Sequence, residues 1–182
     1  QVKIWSYEQE TAAQINEFHY NPKFLPGVEL PSALKASTDP DEIGAGREML
    51  VFAVPSQWLR SVALLFKPYA SADTLVVNAG KGIEVETLKS LSTVLGEELG
   101  VSSGQIVALS GPNHSEEVGR GFPSATVVAS PDLQAAETVQ DVFISSHFRV
   151  YTNPDRLGVE LGGALKNVYA LAAGICEGLG YE

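Results

Sequence analysis

Two lysines stand where a lysine demands an explanation. Lys166 is the only charge in the run LGGALKNVYALAAGIC at positions 161–176, which reads as one apolar helix. Lys81 sits between Gly80 and Gly82 in the segment NAGKGIE. An ammonium on a helix built for burial snorkels to water, pairs with an acid, or has its pKa lowered for proton chemistry. A lysine between glycines has a parallel choice, an exposed turn or a close approach to a ligand. Gly158, Gly162, Gly163 and Gly174 share the helix of Lys166, and each weakens a helix by about 1 kcal/mol relative to alanine. Gly162 and Gly163 fall one turn before Lys166, and Asn167 lies beside it, which describes a lysine above a hollow. Glycines serving tight helix packing alone give the same pattern.

Two other loops are small, polar and shaped by glycine or proline: VPSQ at 54–57 and SGPNHSEE at 110–117. His114 has no serine or cysteine partner in a triad-like context, which argues against a hydrolase. Lys81 is not a phosphate-loop lysine, since glycine follows it and Leu75 stands where the first glycine of that motif belongs. No glycine-rich dinucleotide fingerprint is present. Its one candidate, Gly44-Ala45-Gly46, precedes a strand instead of following one and lacks the third glycine. The single cysteine, Cys176, gives neither a disulfide framework nor metal-ligand spacing, so no metal is expected and a reducing, cytoplasmic setting fits.

The elements that must position these residues alternate along the chain. Strands are predicted at residues 2–7, 49–54, 74–78, 105–110, 125–129 and 148–152 from short apolar runs. Helices are predicted at residues 10–18, 56–66, 87–99 and 131–143. The second has Leu59, Val62, Ala63 and Phe66 as its inner face, and the third has Thr87 as cap and Gly100 as stop. A last helix starts after Asn153, with Asn153 as cap and Pro154 at the first helical position. Short apolar strands joined by amphipathic helices make an α/β fold with a largely parallel sheet covered on both faces. Ligands of such sheets sit beyond the carboxyl ends of the strands. The lysine-bearing and proline-bearing loops fall at those ends.

The chain of 182 residues has ordinary single-domain length, with 45% hydrophobic and 19% charged residues. Its 12 Lys and Arg against 22 Asp and Glu give a formal net charge of -10, which disfavours nucleic acid or an anionic membrane as partner. An anionic small-molecule substrate must therefore be held by locally placed cations. No signal peptide is recognisable, and the 161–176 run is too short to span a membrane.

At these same residues the sequence resembles the NAD(P)-dependent glycerol-3-phosphate dehydrogenases of bacterial type. The stretches that carry the resemblance are NPKFLPGVELP at 21–31, VFAVPSQ at 51–57, KGIE at 81–84, SGPNHSEEV at 110–118 and FRVYTNPDRLGVELGGALKNVYALAAGICEGLG at 148–180. The resemblance implies a Rossmann-like domain over residues 1–152, and over 153–182 the first long helix of an all-α substrate domain. It implies interconversion of sn-glycerol 3-phosphate and dihydroxyacetone phosphate with NAD or NADP, supplying glycerol 3-phosphate for phospholipid synthesis. Lys166 falls at the family's proton-acceptor position, where burial and a second nearby cation would lower a lysine pKa toward a useful range. Lys81 matches the family lysine that touches substrate and cofactor. Gly111, Asn113 and Asn167 match substrate contacts, although many members have Ser or Thr at the position of Asn113. Ser115, Tyr7 and Pro55 match cofactor contacts. Tyr7 is not an acid and no arginine lies close by, so nothing there selects NAD over NADP. A homodimer is expected by analogy alone.

Family members begin with a strand and glycine-rich turn ahead of the strand that opens this chain, and they continue with a phosphate-gripping helical domain. The expectation is therefore an internal fragment with its first strand missing, of negligible activity by itself and with an apolar face of the 153–180 helix exposed. Two other readings are a related dehydrogenase acting on another hydroxy acid and a noncatalytic Rossmann-like binding module.

Overall fold

A computed structural model describes residues 1–181. Its centre is a five-stranded sheet of β5 (Met49–Phe52), β6 (Leu75–Asn78), β7 (Ile106–Ser110), β8 (Ser124–Ala129) and β9 (Phe148–Asn153), in that spatial order. Side chains alternate between the faces of a strand, so neighbouring valines serve opposite layers. Val76 packs in one core with Phe52, Leu59, Ala63, Leu95 and Ile106, beneath α3 (Leu59–Phe66) and α4 (Leu91–Leu99). Val77 packs in the other core with Val107, Val128, Ala136, Val139 and Val150, beneath α6 (Leu133–Phe143). The α/β architecture with helices on both faces is as expected. The expected inner face of α3 also holds, with Leu59, Ala63 and Phe66 buried and Val62 packed against the same core.

The sheet is parallel except for one pair. The β5–β6, β6–β7 and β8–β9 pairs are parallel, whereas β7 and β8 run antiparallel, with Ala108 opposite Ala129. Only α5 (Ser115–Gly119), a helix of five residues, lies between β7 and β8. A crossover back to the far end of the sheet takes a longer element, so the chain turns and returns directly.

The first strand departs from the expected place. β1 (Lys3–Trp5) pairs in parallel with β4 (Lys35–Ser37) in a separate two-stranded sheet, covered by α1 (Gln9–Phe18). A hairpin of β2 (Tyr20–Asn21) and β3 (Leu25–Glu29) and a short α2 (Pro40–Gly44) complete this region. These short elements carry too few periodic residues to announce themselves in sequence. Trp5 joins the region to the main core by an edge-on contact with Phe66, ring centroids 5.7 Å apart.

Several helix starts also differ from expectation. α4 begins at Leu91 with Ser90 as its cap, because Thr87 is otherwise engaged. The hydroxyl of Thr87 donates to Glu84, inside a turn closed by the amide of Glu84 on the carbonyl of Lys89 at 3.0 Å. Glu84 is itself gripped by both Nε and Nη2 of Arg60 at 2.8 Å, and these bonds, with the Thr87 hydroxyl, hold its carboxyl at about 2. α6 starts at Leu133, with Asp132 accepting from the amide of Gln134.

α7 (Arg156–Gly178) is capped two residues later than expected. Asp155 caps it by accepting from the amide of Gly158 at 2.8 Å, while Asn153 accepts from the amide of Asp155 at 2.7 Å. Its apolar run is mostly exposed, Leu165 at 43% and Val168 at 61%, as expected for this helix in the chain by itself. The one buried side chain of the helix is a charged one, Glu160. Among the described residues no helix is long and apolar enough to cross a membrane, and no cluster of ligating side chains is placed to hold a metal ion.

Candidate active site

Parallel pairing sets the carboxyl ends of three neighbouring strands side by side, with Phe52 of β5 opposite Asn78 of β6. The loops that leave these ends carry Pro55, Lys81 and Gly111. Gly80 lets two of them meet, since a Cβ there would lie 3.3 Å from the carbonyl oxygen of Val54 and 3.1 Å from Leu91. Gly82 has a φ of +127°, a backbone conformation that L side chains rarely adopt. Lys81 is therefore delivered by a loop that depends on both of its flanking glycines.

The ammonium of Lys81 donates to the carbonyl oxygen of Gly111 at 3.0 Å and to Oδ1 of Asn113 at 3.1 Å. The amide of Asn113 in turn donates to Oγ1 of Thr126 at 3.1 Å, and that hydroxyl donates to the carbonyl of Ser110 at 3.1 Å. This relay fixes which way the Asn113 amide points and ties the SGP loop to β8. Gly111 is obligatory in it, because a Cβ would sit 2.8 Å from Cα of Thr126 and 2.9 Å from the carbonyl of Ala125. Two of the three N–H groups of Lys81 are thus occupied by protein. The third has no hydrogen-bond partner among the described residues.

α7 crosses this loop cluster at Gly163. A Cβ at Gly163 would meet Oγ of Ser110 at 2.5 Å and Cγ of Lys81 at 3.8 Å, so the helix backbone rests on the two loops. Gly162, expected to share that role, has open space where its Cβ would be. One turn beyond Gly163, Lys166 comes within Coulombic reach of Lys81. The pKa of Lys81 is lowered, first by its burial and then by the positive charge of Lys166. Within this chain Lys81 is partly buried, while Lys166 is exposed on α7. The reason is local: Lys81 rises from the sheet end beneath the helix, and Lys166 projects from the helix into solvent.

Lys81, Gly111, Asn113 and Lys166 are brought together, and Asn167 follows Lys166 on the same exposed stretch. Pro55 is exposed at the neighbouring strand end, immediately before a single 3-10 turn at Ser56–Trp58. Ser115 opens α5, exposed, its hydroxyl donating to Glu116 at 3.0 Å. Tyr7 is 87% exposed and follows β1, in the separate small sheet. Sequence reasoning missed Asn78, Thr126 and Glu160, three polar residues buried at the same place. The signal for Glu160 was present, an acid immediately ahead of the apolar run.

Comparison with known proteins decides the family. A profile of the NAD-dependent glycerol-3-phosphate dehydrogenase N-terminus matches residues 1–136, and one of the C-terminus of the same enzymes matches residues 155–182. The chain belongs to the NAD-dependent glycerol-3-phosphate dehydrogenase family. A glycerol-3-phosphate dehydrogenase [NAD(P)+] of Pelotomaculum thermopropionicum is 49% identical over 182 residues, covering 100% of the chain and 52% of that relative. One from Bacillus subtilis is 43% identical over 100% of the chain and 53% of the relative. The chain thus spans about half the length of the curated relatives it matches. The solved glycerol-3-phosphate dehydrogenase of Coxiella burnetii superposes with a TM-score of 0.86 at 33% identity, covering 98% of this chain and 54% of that one. That of Plasmodium falciparum gives 0.90 at 30% identity, covering 100% and 52%. As in this family, the sheet is of Rossmann type, and the donor set at its strand ends suits the group such sheets bind. Lys81 and Lys166 place ammonium donors there, and the notch at Gly80 is one that a side chain would fill.

Proposed function

We propose that this chain supplies the nucleotide-facing sheet and the first substrate-facing helix of an NAD(P)-dependent glycerol-3-phosphate dehydrogenase. The reaction interconverts sn-glycerol 3-phosphate and dihydroxyacetone phosphate, and its product feeds phospholipid synthesis. Residues 1–152 form the dinucleotide-binding unit, and residues 153–182 open the helical substrate unit. The setting is cytoplasmic and the assembly a homodimer, both by analogy with the family. The observation that carries the reading is the meeting of Lys81 and Lys166 at the carboxyl ends of the strands, across Gly163.

A bound dinucleotide would supply the hydride exchanged with C2 of the substrate. The third N–H of Lys81 points the developing negative charge of the substrate oxygen toward a fixed donor, held in place by Gly111 and Asn113. Lys166 delivers the proton to that oxygen in reduction and, in its neutral form, accepts it in oxidation. Asn167 orients the substrate. Pro55, Ser115 and Tyr7 line the nucleotide side, with Tyr7 toward the adenosine. Two cations gathered in a chain of net charge -10 favour a phosphate-bearing substrate over a neutral one.

The test is a substrate panel on the natural full-length gene product. NAD(P)H-dependent reduction of dihydroxyacetone phosphate is expected, with kcat/KM falling about a hundredfold or more for unphosphorylated dihydroxyacetone, because remote binding energy is spent at the reacting centre. Faster turnover of an unphosphorylated hydroxy acid would overturn the assignment.

The seat of Gly163 gives a second expectation. Gly163→Ala forces its methyl group against Oγ of Ser110, lifting Lys166 off Lys81 by a fraction of an ångström and lowering kcat about tenfold. Ser110→Ala removes the clashing oxygen, so the double variant is expected to recover most of the rate. Steady-state kinetics of the three variants form a double-mutant cycle.

A further inference from the structure

Lys81 and Lys166 repel each other, so the contact of α7 with the Lys81 loop requires something else to hold it. The face of α7 turned to the sheet supplies Arg156, Glu160 and Gly163, at the i, i+4, i+7 spacing of one helical stripe. Arg156 anchors the first turn, its Nη1 donating to the carbonyls of Ser103 at 2.6 Å and Ile106 at 2.9 Å. Glu160 anchors the second. Its Oε1 accepts from Nδ2 of Asn78 at 3.1 Å and from the backbone amide of Ser92 at 2.8 Å.

Both donors are well chosen for a carboxylate. The amide of Ser92 belongs to the first turn of α4, where backbone N–H groups lack partners within the helix and the helix dipole favours negative charge. Asn78 ends β6, and its own Oδ1 accepts from the amide of Gly80 at 3.0 Å. One asparagine side chain therefore holds the backbone beside Lys81 with its oxygen and the helix of Lys166 with its nitrogen. Glu160 is 7% exposed, and water contributes little to satisfying these groups.

We infer that Glu160, through Asn78, is a positioning residue that sets the approach of Lys166 to Lys81. The inference rests on the dehydrogenase reading for what that approach does, and on the hydrogen bonds alone for the approach itself. Glu160→Ala leaves Nδ2 of Asn78 and the amide of Ser92 without a partner and frees α7 to yield to the repulsion. Glu160→Gln keeps an oxygen for both donors, removes the charge and puts an NH2 group at the buried, unpartnered Oε2.

The test uses the full-length gene product with two readouts. Glu160→Ala is expected to lose about 30- to 100-fold in kcat, as displacement of a reacting group by about an ångström does, with KM for the dinucleotide changed much less. Glu160→Gln recovers most of kcat. Val139→Ala, a buried change on the opposite face of the sheet, serves as a control for lost stability alone. The second readout is cross-linking of Lys81 to Lys166 by a short bifunctional aryl fluoride, followed by peptide mass analysis. Its yield falls severalfold in Glu160→Ala and returns in Glu160→Gln. Parent-like kcat and cross-linking in Glu160→Ala would overturn the inference, as would an equal loss of kcat in Val139→Ala. If the parent protein turns over no ketone phosphate, the dehydrogenase reading fails, and the cross-linking yields decide for or against Glu160 as the residue that sets the approach of Lys166 to Lys81.

Discussion

Replacing Lys166 with alanine is expected to reduce turnover of dihydroxyacetone phosphate about a thousandfold while leaving the fold intact. General acid–base transfer by a positioned side chain contributes typically about 10²- to 10⁴-fold, and Lys166 is the only ammonium on α7 that reaches Lys81. The fold is spared because the side chain is exposed and makes no hydrogen bond or ion pair among the described residues. Alanine at a helical position also costs no propensity. The melting temperature is therefore expected to stay within about 1 °C of the parent, since exposed substitutions of this type change stability by less than about 0.5 kcal/mol. A charge leaving the neighbourhood has a second signature. The pKa of Lys81 is lowered partly by Lys166, so its titration moves up toward the ordinary lysine range in the variant. Parent-like turnover in Lys166→Ala would remove Lys166 from the chemistry altogether.

What the sequence made legible was the part written in periodicity and loop chemistry. Alternating apolar strands and amphipathic helices gave the α/β sheet, and the glycines flanking Lys81 and preceding Lys166 marked a close approach that Gly80 and Gly163 both make. The strand ends that carry VPSQ, NAGKG and SGPN are adjacent, as a parallel sheet requires. Three things were not legible, each for a physical reason. The run of β7 into β8 depends on how far a connection must travel, which local pattern does not encode. The start of α4 was decided by competition for Thr87, whose hydroxyl serves Glu84 because Arg60 has already fixed that carboxylate from a distant helix. Which side of α7 meets the sheet was not legible, because apolar character reports what a surface prefers, not what lies against it. The stripe that meets the sheet is the polar one carrying Arg156 and Glu160. Hydrophobicity drew attention to Lys166, whereas the charged groups buried within this chain at the site are Glu160 and, in part, Lys81.

Lys81 carries the second large expected effect, and its sign with pH is fixed by the same geometry. Its ammonium is already bound to Gly111 and Asn113, so the remaining N–H is a pre-oriented donor rather than a mobile surface charge. Lys81→Met removes that donor and unties Asn113. Losing one such donor costs typically about 10²- to 10³-fold in kcat, and a comparable loss is expected here. Burial and the charge of Lys166 both disfavour the protonated form, so Lys81 gives up its proton below the ordinary value of 10.5. As pH rises through that lowered pKa the donor is lost, and kcat/KM for ketone reduction must fall on the alkaline side before free lysines titrate. Lys81→Arg separates charge from geometry. A guanidinium stays protonated throughout the accessible range, so the alkaline limb assigned to Lys81 disappears. Its planar fork does not reproduce the two ammonium bonds to Gly111 and Asn113, so the plateau itself is expected about a hundredfold low. A parent profile that persists unchanged in Lys81→Arg would assign the alkaline limb to another group. A Lys81→Met variant with parent-like kcat would show that the oxygen of the substrate is polarised from elsewhere in the protein.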